Sequence, residues 1–340
     1  MDGSPQLGSI ELFAAGGETF TVDDAIASAM FRGGLDGAID ETLAMANAED
    51  ALEDVEPADA DLQASSEKFR YEHDLISAGE TEEWLEARGL TTGDFGAWLY
   101  QRLCGQMAPR LAASAVPDEF ADLLRIHLWL SGGMDDLAGA LRRRVAAGIE
   151  TSDAPDGGVM AKFLARHRLD DDGVEEWLSA LARDRSWLTQ TVRREAAFER
   201  LSAEAASEAA RGRTLGSMVM SLARVEMDTL ALGSEAAARE AVLCVHDDGL
   251  SLSEVALETG YRAERTMLWM DEVEEQVAHR VLPAVAGDVI GPIERSGRFE
   301  VLQVLRKLPP LLTDPAVVRR VDSVIVNEFF DELCARHIHK

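Results

Sequence analysis

The sequence predicts a mainly α-helical chain with a small α+β module inserted before its last helix. Three observations carry this reading. Apolar residues recur at helical spacing through most of residues 22–211. Strand-like alternation appears at Arg224-Val225-Glu226-Met227-Asp228-Thr229-Leu230 and again over Arg298–Leu305. The chain then closes on one amphipathic stripe that starts at Asp314-Pro315. With 340 residues, 46% of them apolar, there is chain for two or three domains with packed cores.

The first element is a short hairpin. Ser9–Phe13 and Glu18–Val22 flank a Gly16-Gly17 turn. Thr21 then caps a helix, with Asp24 three residues on and Ala25, Ile26, Ala29 and Met30 at helical spacing before Gly33-Gly34 ends it. A second helix is expected over about 36–53 and, after Pro57, a third over Asp59–His73. Residues 80–104 read as two helices around Gly89-Leu90-Thr91, with Thr91 or Thr92 as cap and Trp84, Leu85, Phe95, Trp98 and Leu99 as the apolar side. The pattern echoes at Glu175-Glu176-Trp177-Leu178 and Trp187-Leu188, two copies where a repeat array needs at least about three.

Residues 118–148 read as a helix pair broken at Gly132-Gly133, and Thr151–Gly158 (TSDAPDGG) as a linker. One long helical run is expected over about 172–211, ending near Gly212. The module that follows reads as strand Arg224–Leu230, helices Glu235–Val245 and Ser251–Glu258, and a short strand Thr266–Trp269. It continues as helix Val273–Leu282, a turn at Gly287–Ile293 and strand Arg298–Leu305. In the last helix Val317, Val321, Val324, Ile325, Phe329 and Leu333 share one face, which is expected to pack back onto the N-terminal helices. The domains expected are 1–150 and 151–215, both helical, the α+β module at 220–312, and the C-terminal helix at 313–340.

The charge narrows the partners. The formal net charge is −29, and residues 1–100 alone hold 23 acidic and 4 basic side chains. Such a surface repels phosphate, so neither nucleic acid nor an anionic membrane is expected as partner. It serves solubility or, in the alternative, draws a basic partner; the run Glu49–Asp61 is the densest acidic stretch. No stretch approaches the roughly 20 apolar residues of a membrane helix, and MDGSPQLGSIELF lacks the pattern of a secretory signal. Cys104, Cys244 and Cys334 are odd in number and far apart, which fits neither a disulfide framework nor a zinc knuckle. A cytoplasmic protein is therefore expected.

Gly249-Leu250-Ser251-Leu252-Ser253-Glu254-Val255-Ala256, Gly287-Asp288-Val289-Ile290-Gly291-Pro292-Ile293 and Gly297-Arg298-Phe299-Glu300-Val301 follow one another in that order. Together with the start of the last helix at Asp314-Pro315-Ala316-Val317, they resemble the SurA/PpiC group of parvulin-type foldases. Phe20–Ile26 and the stretch from Phe69-Arg70 to Leu103 resemble the SurA-N-like proteins that accompany bacterial peptide-maturation systems. The resemblance implies a helical region, a parvulin-like module and a returning helix. It also implies a peptide partner, here a precursor peptide held for a modifying enzyme.

The family's two facing histidines would fall near Glu226 or Met227 and near Phe299, and none of these is histidine. Its pocket positions on the third helix would fall at Val273 and Val277. The expectation is thus a peptide-binding chaperone with no cofactor and with its groove on the module around Met227, Val273, Val277, Leu282 and Phe299, or else in the cleft between that module and the helices. Prolyl isomerisation, with a barrier of about 20 kcal/mol to lower, is the first alternative. A metal-assisted enzyme is the second, for which Cys334, His337 and His339 are the candidate ligands. His73, His127 and His167 are expected at boundaries or on the surface. No phosphate-binding glycine loop, G-x-S-x-G elbow or H-E-x-x-H helix occurs.

Overall fold

A computed structural model describes residues 7–52, 56–107, 116–151, 156, 158–295 and 297–339. The chain divides into two compact units, Met1–Ala203 with Phe329–Lys340, and Glu204–Glu328. The second is thus inserted into the first.

The first unit opens with a 3-10 turn and the expected hairpin, β1 (Glu11–Ala15) and β2 (Glu18–Thr21). Its two aromatic residues stack, with the Phe13 and Phe20 ring centroids 4.9 Å apart. Ten helices follow among the described residues: α1 (Val22–Phe31), α2 (Asp36–Ala51), α3 (Asp59–Glu72), α4 (Ala78–Glu86), α5 (Thr92–Met107), α6 (Phe120–Leu130), α7 (Gly133–Glu150), α8 (Val159–His167), α9 (Asp171–Ala180) and α10 (Arg185–Ala205). The Thr21–Asp24 capping box that the sequence predicts starts α1. Thr91 and Asp94 cap α5 reciprocally, the Thr91 N–H donating to Asp94 Oδ2 at 2.8 Å and the Asp94 N–H to Thr91 Oγ1 at 3.1 Å. Phe69, Trp84, Phe95 and Trp98 form the aromatic centre of the core, ring against ring.

Two expectations fail here. The single run over 172–211 is three helices, α9, α10 and α11 (Glu208–Met218). α9 ends because Ala182 takes a left-handed conformation at φ 51°, while the Arg183 N–H turns back to the Leu178 carbonyl at 2.9 Å. A glycine would have announced that stop, and an alanine does not. The second break is Ser207, whose hydroxyl accepts from the Ala210 N–H and starts α11, which runs past Gly212. α8 forms where the sequence reading assigned no element. Ser152–Pro155 and Gly157 of the expected linker, and 53–55 of the acidic run, lie outside the described residues.

The second unit holds α11, the strands β3 (Arg224–Leu232), β4 (Glu264–Trp269), β5 (Val289–Arg295) and β6 (Arg298–Leu308), and the helices α12 (Glu235–His246), α13 (Leu252–Thr259) and α14 (Glu275–Val281). The strands form an antiparallel sheet of order β4-β3-β6-β5. β5 is the strand of this sheet that the sequence reading lacked: Gly291-Pro292 reads as a turn. The structure absorbs both residues in a register shift between Ile290 and Ile293 on an edge strand, a position where proline removes no needed donor.

Alternation along β3 and β6 gives the sheet two buried faces. Val225, Met227, Leu302 and Val304 pack with Val277 and Val281 of α14. Leu230, Leu232 and Val301 pack with Ala238 and Ala241 of α12 and Val255 of α13. The last helix, α15 (Pro315–His337), starts as expected, with Asp314 Oδ1 accepting from the Ala316 N–H at 2.8 Å. It then yields to a short strand, β7 (Ile338–His339), which pairs with β1. Among the described residues no helix is long and apolar enough to cross a membrane.

Gly291 sits at φ 152°, where a Cβ would lie 3.0 Å from the Glu300 carbonyl oxygen and 3.2 Å from Val301 Cα. Both neighbours are backbone and cannot yield. Gly291→Ala is therefore expected to destabilise the second unit by about 1–3 kcal/mol, read as a lower midpoint in chemical denaturation; an unchanged midpoint would refute the strain.

Candidate functional site

The residues predicted to form a groove on the module do not come together as one. Met227, Val273 and Val277 belong to the buried cluster beneath α14, where each contacts core rather than solvent. A peptide reaching them has to displace that helix. Leu282, which follows α14, is the accessible member at 40% exposure. Phe299 lies on the opposite face, against the cluster of α12 and α13. The neighbour that shares the Met227 face is Glu300, which alternation assigns there and which Arg295 engages at 3.2 Å. No histidine occurs on any strand of this sheet.

Lys307 fixes α14 in place. Its ammonium donates to the carbonyls of Val281 and Leu282, at 2.6 and 2.8 Å, and to that of Ala284. A cation on the carbonyl end of a helix satisfies acceptors that the helix leaves open. The face is thus closed by packing and by charge.

The C-terminal cysteine and histidines are spent on structure. His337 Nε2 lies 2.9 Å from Glu150 Oε2, and His339 stands in β7 opposite Ala14. Burial pushes the Cys334 thiol above its ordinary range. Among the described residues no group of three or more His, Cys, Asp or Glu is placed to hold a metal ion.

The large opening is in the first unit. A cleft of about 1060 Å³ lies among the 3-10 turn at Leu7–Ser9, α2, α5, α6 and the residues after α9. Met45, Trp98, Leu123 and Ile126 give it an apolar lining. Asp23, Asp94, Glu119 and Asp122 supply carboxylates, and Arg125 and Arg183 the guanidinium groups. Arg125 donates to Asp23 Oδ1 through Nε at 2.9 Å and Nη2 at 2.7 Å, and to Asp122 Oδ1 at 2.8 Å. Gly8 makes room for this clasp: a Cβ there would lie 2.2 Å from Asp23 Oδ2.

His127 lies in the wall of the cleft, only 5% exposed, so the expectation of a boundary histidine was wrong. It is the tertiary partner of a tryptophan. Trp98 Nε1–H donates to His127 Nδ1 at 3.3 Å, and His127 Nε2 faces Glu41 Oε2 at 3.3 Å. An indole is a donor only, so Nδ1 carries the lone pair and the proton sits on Nε2. This one ring joins α5, α6 and α2. The only sequence signal was His127 at helical spacing with Leu124 and Leu130, which marks burial but no partner.

No protein-family model and no curated protein matches this sequence. Among solved structures the chain is similar to foldases and chaperones. One is a peptidylprolyl isomerase, PrsA, of Bacillus anthracis, at 12% identity and TM-score 0.30, covering 58% of this chain and 94% of that one. Another is the foldase PrsA of Lactococcus lactis, at 13% and 0.28, covering 96% and 91%. A third comes from the SurA-like chaperones PEB4 and Cj1289 of Campylobacter jejuni, at 10% and 0.20, covering 66% and 89%.

Burial holds the His127 imidazole below its ordinary value, against the opposing pull of Glu41. The unfolded chain takes up this proton near pH 6.5, about the free histidine value, and the folded chain only at lower pH. The stability that neutral His127 contributes is therefore complete above that pH and falls as the solution is acidified through it. His127→Gln keeps an acceptor for Trp98 and removes the titration. Thermal unfolding between about pH 7.5 and 5 is expected to show a smaller acid loss in this variant than in the parent. Equal losses would refute the assignment.

Proposed function

We propose that this chain is a peptide-binding accessory protein of parvulin-foldase descent, which holds an extended precursor peptide for a modifying enzyme in the cytoplasm. The cleft in the helical unit carries the reading. At about 1060 Å³ it lies just above the roughly 300–1,000 Å³ of small-molecule sites, room for several residues of chain. Its lining is the mixture such a guest needs, with apolar side chains for contact and charged groups for orientation. The module supports binding over turnover. Its sheet bears no histidine, and the face where an isomerase would seat a proline is filled by Met227, Val273 and Val277.

The test is a fluorescence titration of the full chain with a labelled unstructured peptide, beside measurement of cis/trans exchange in an X-Pro peptide by NMR. Saturable binding with exchange at the uncatalysed rate of tens of seconds is expected. Accelerated exchange would replace this reading with an isomerase, and absence of binding to any peptide would refute it.

A further inference from the structure

The charges around the cleft are not balanced. Its two guanidinium groups already face carboxylates, Arg125 those of Asp23 and Asp122 and Arg183 that of Asp24 at 3.0 Å, although the buried Arg183 Nε is left without a hydrogen bond. The carboxylates are in surplus. Glu119 has no basic partner among the described residues. Asp94 uses only Oδ2 in capping α5, where it accepts from the Thr91 N–H and hydroxyl. A guest with carboxylates meets no unengaged cation among these side chains, whereas a guest with ammonium or guanidinium groups meets open acceptors. The unit around the cleft adds to this, since residues 1–100 carry 23 acidic and 4 basic side chains.

The lining sets the second requirement. Trp98 and Met45 are almost wholly buried, with only an edge available to a guest, while Leu123 and Ile126 are partly exposed. Methionine and tryptophan tolerate apolar guests of varied shape. A string of bare charges leaves such a lining unused, and so does a purely apolar segment with respect to the rim.

On the reading that the cleft is a peptide seat, we infer that it selects an extended segment in which lysine or arginine alternates with apolar residues. The cations meet Glu119, Asp94 and Asp122, and the apolar side chains lie toward Leu123, Ile126 and Trp98. Rim charges lie largely in solvent, so their selectivity is screened once the ionic strength brings the Debye length well below about 10 Å.

Three labelled decapeptides of equal apolar content, bearing lysine, serine or glutamate at the alternate positions, are titrated into the full chain by fluorescence anisotropy at low and high salt. The lysine peptide is expected to bind at least about tenfold tighter than the glutamate peptide at low salt, with the preference collapsing at high salt. Glu119→Lys, on an exposed residue, should remove most of that preference. Ala97→Trp, at an exposed lining position of α5, should weaken the lysine peptide by obstructing the cleft. Circular dichroism of both variants checks that the fold is kept. Equal affinity for the three peptides, or a preference untouched by both variants, overturns this inference and leaves the peptide-binding reading standing. Failure of all three to bind overturns both.

Discussion

A unit inserted into another must bring its own two ends together, and in this chain one guanidinium marks where that happens. Arg211 of α11 holds Asp322 of α15 with two parallel hydrogen bonds, at 2.6 and 2.8 Å. A partly exposed pair of this kind contributes little by itself, on the order of 0–1 kcal/mol. Its geometry registers a larger apolar contact, in which Leu222 packs with Val317, Val321 and Ile325. Arg224 repeats the device one step along by pairing with Asp314, the cap of α15. The chain enters the second unit at Glu204 and leaves it at Glu328.

Within the inserted unit the same economy governs β3, which is paired on both edges and buried on both faces. Asp228 sits in its middle at 2% exposure, a charged group where a sheet interior has no water to offer. Arg265 reaches from the edge strand to bind both of its oxygens, at 2.8 and 2.9 Å. Its cross-strand partner Gln303 accepts the Leu252 N–H at the start of α13, at 2.8 Å. Each buried polar atom is thus used to tie a neighbouring element to the centre of the sheet. A surface so fully committed has little left for a guest. The helical unit made the opposite use of its polar groups, keeping carboxylates around an open cleft.

Much of this was legible in the residues. Thr21 with Asp24, Gly132-Gly133 and Asp314-Pro315 each placed a helix end, because caps and glycines act through local chemistry that the sequence displays. Strand β3 and helices α12 and α13 appeared through their periodicity. What stayed hidden depended on partners distant along the chain. Phe299 and Glu300 exchange faces with a one-residue shift of register, so assigning one of them to the groove required the pairing of β6 with β3. His127 looked isolated because Trp98 and Glu41 belong to other helices. The cleft had no motif at all, being the space left by elements whose individual patterns are ordinary.

The strand at the very end of the described chain has a consequence in time. β7 supplies the outer neighbour of β1, with Ile338 opposite Ala15 and His339 opposite Ala14. A ribosome adding roughly 5–20 residues per second delivers β1 first and β7 last, tens of seconds apart. Throughout that interval one edge of the nascent hairpin offers unpaired N–H and carbonyl groups to any strand that passes.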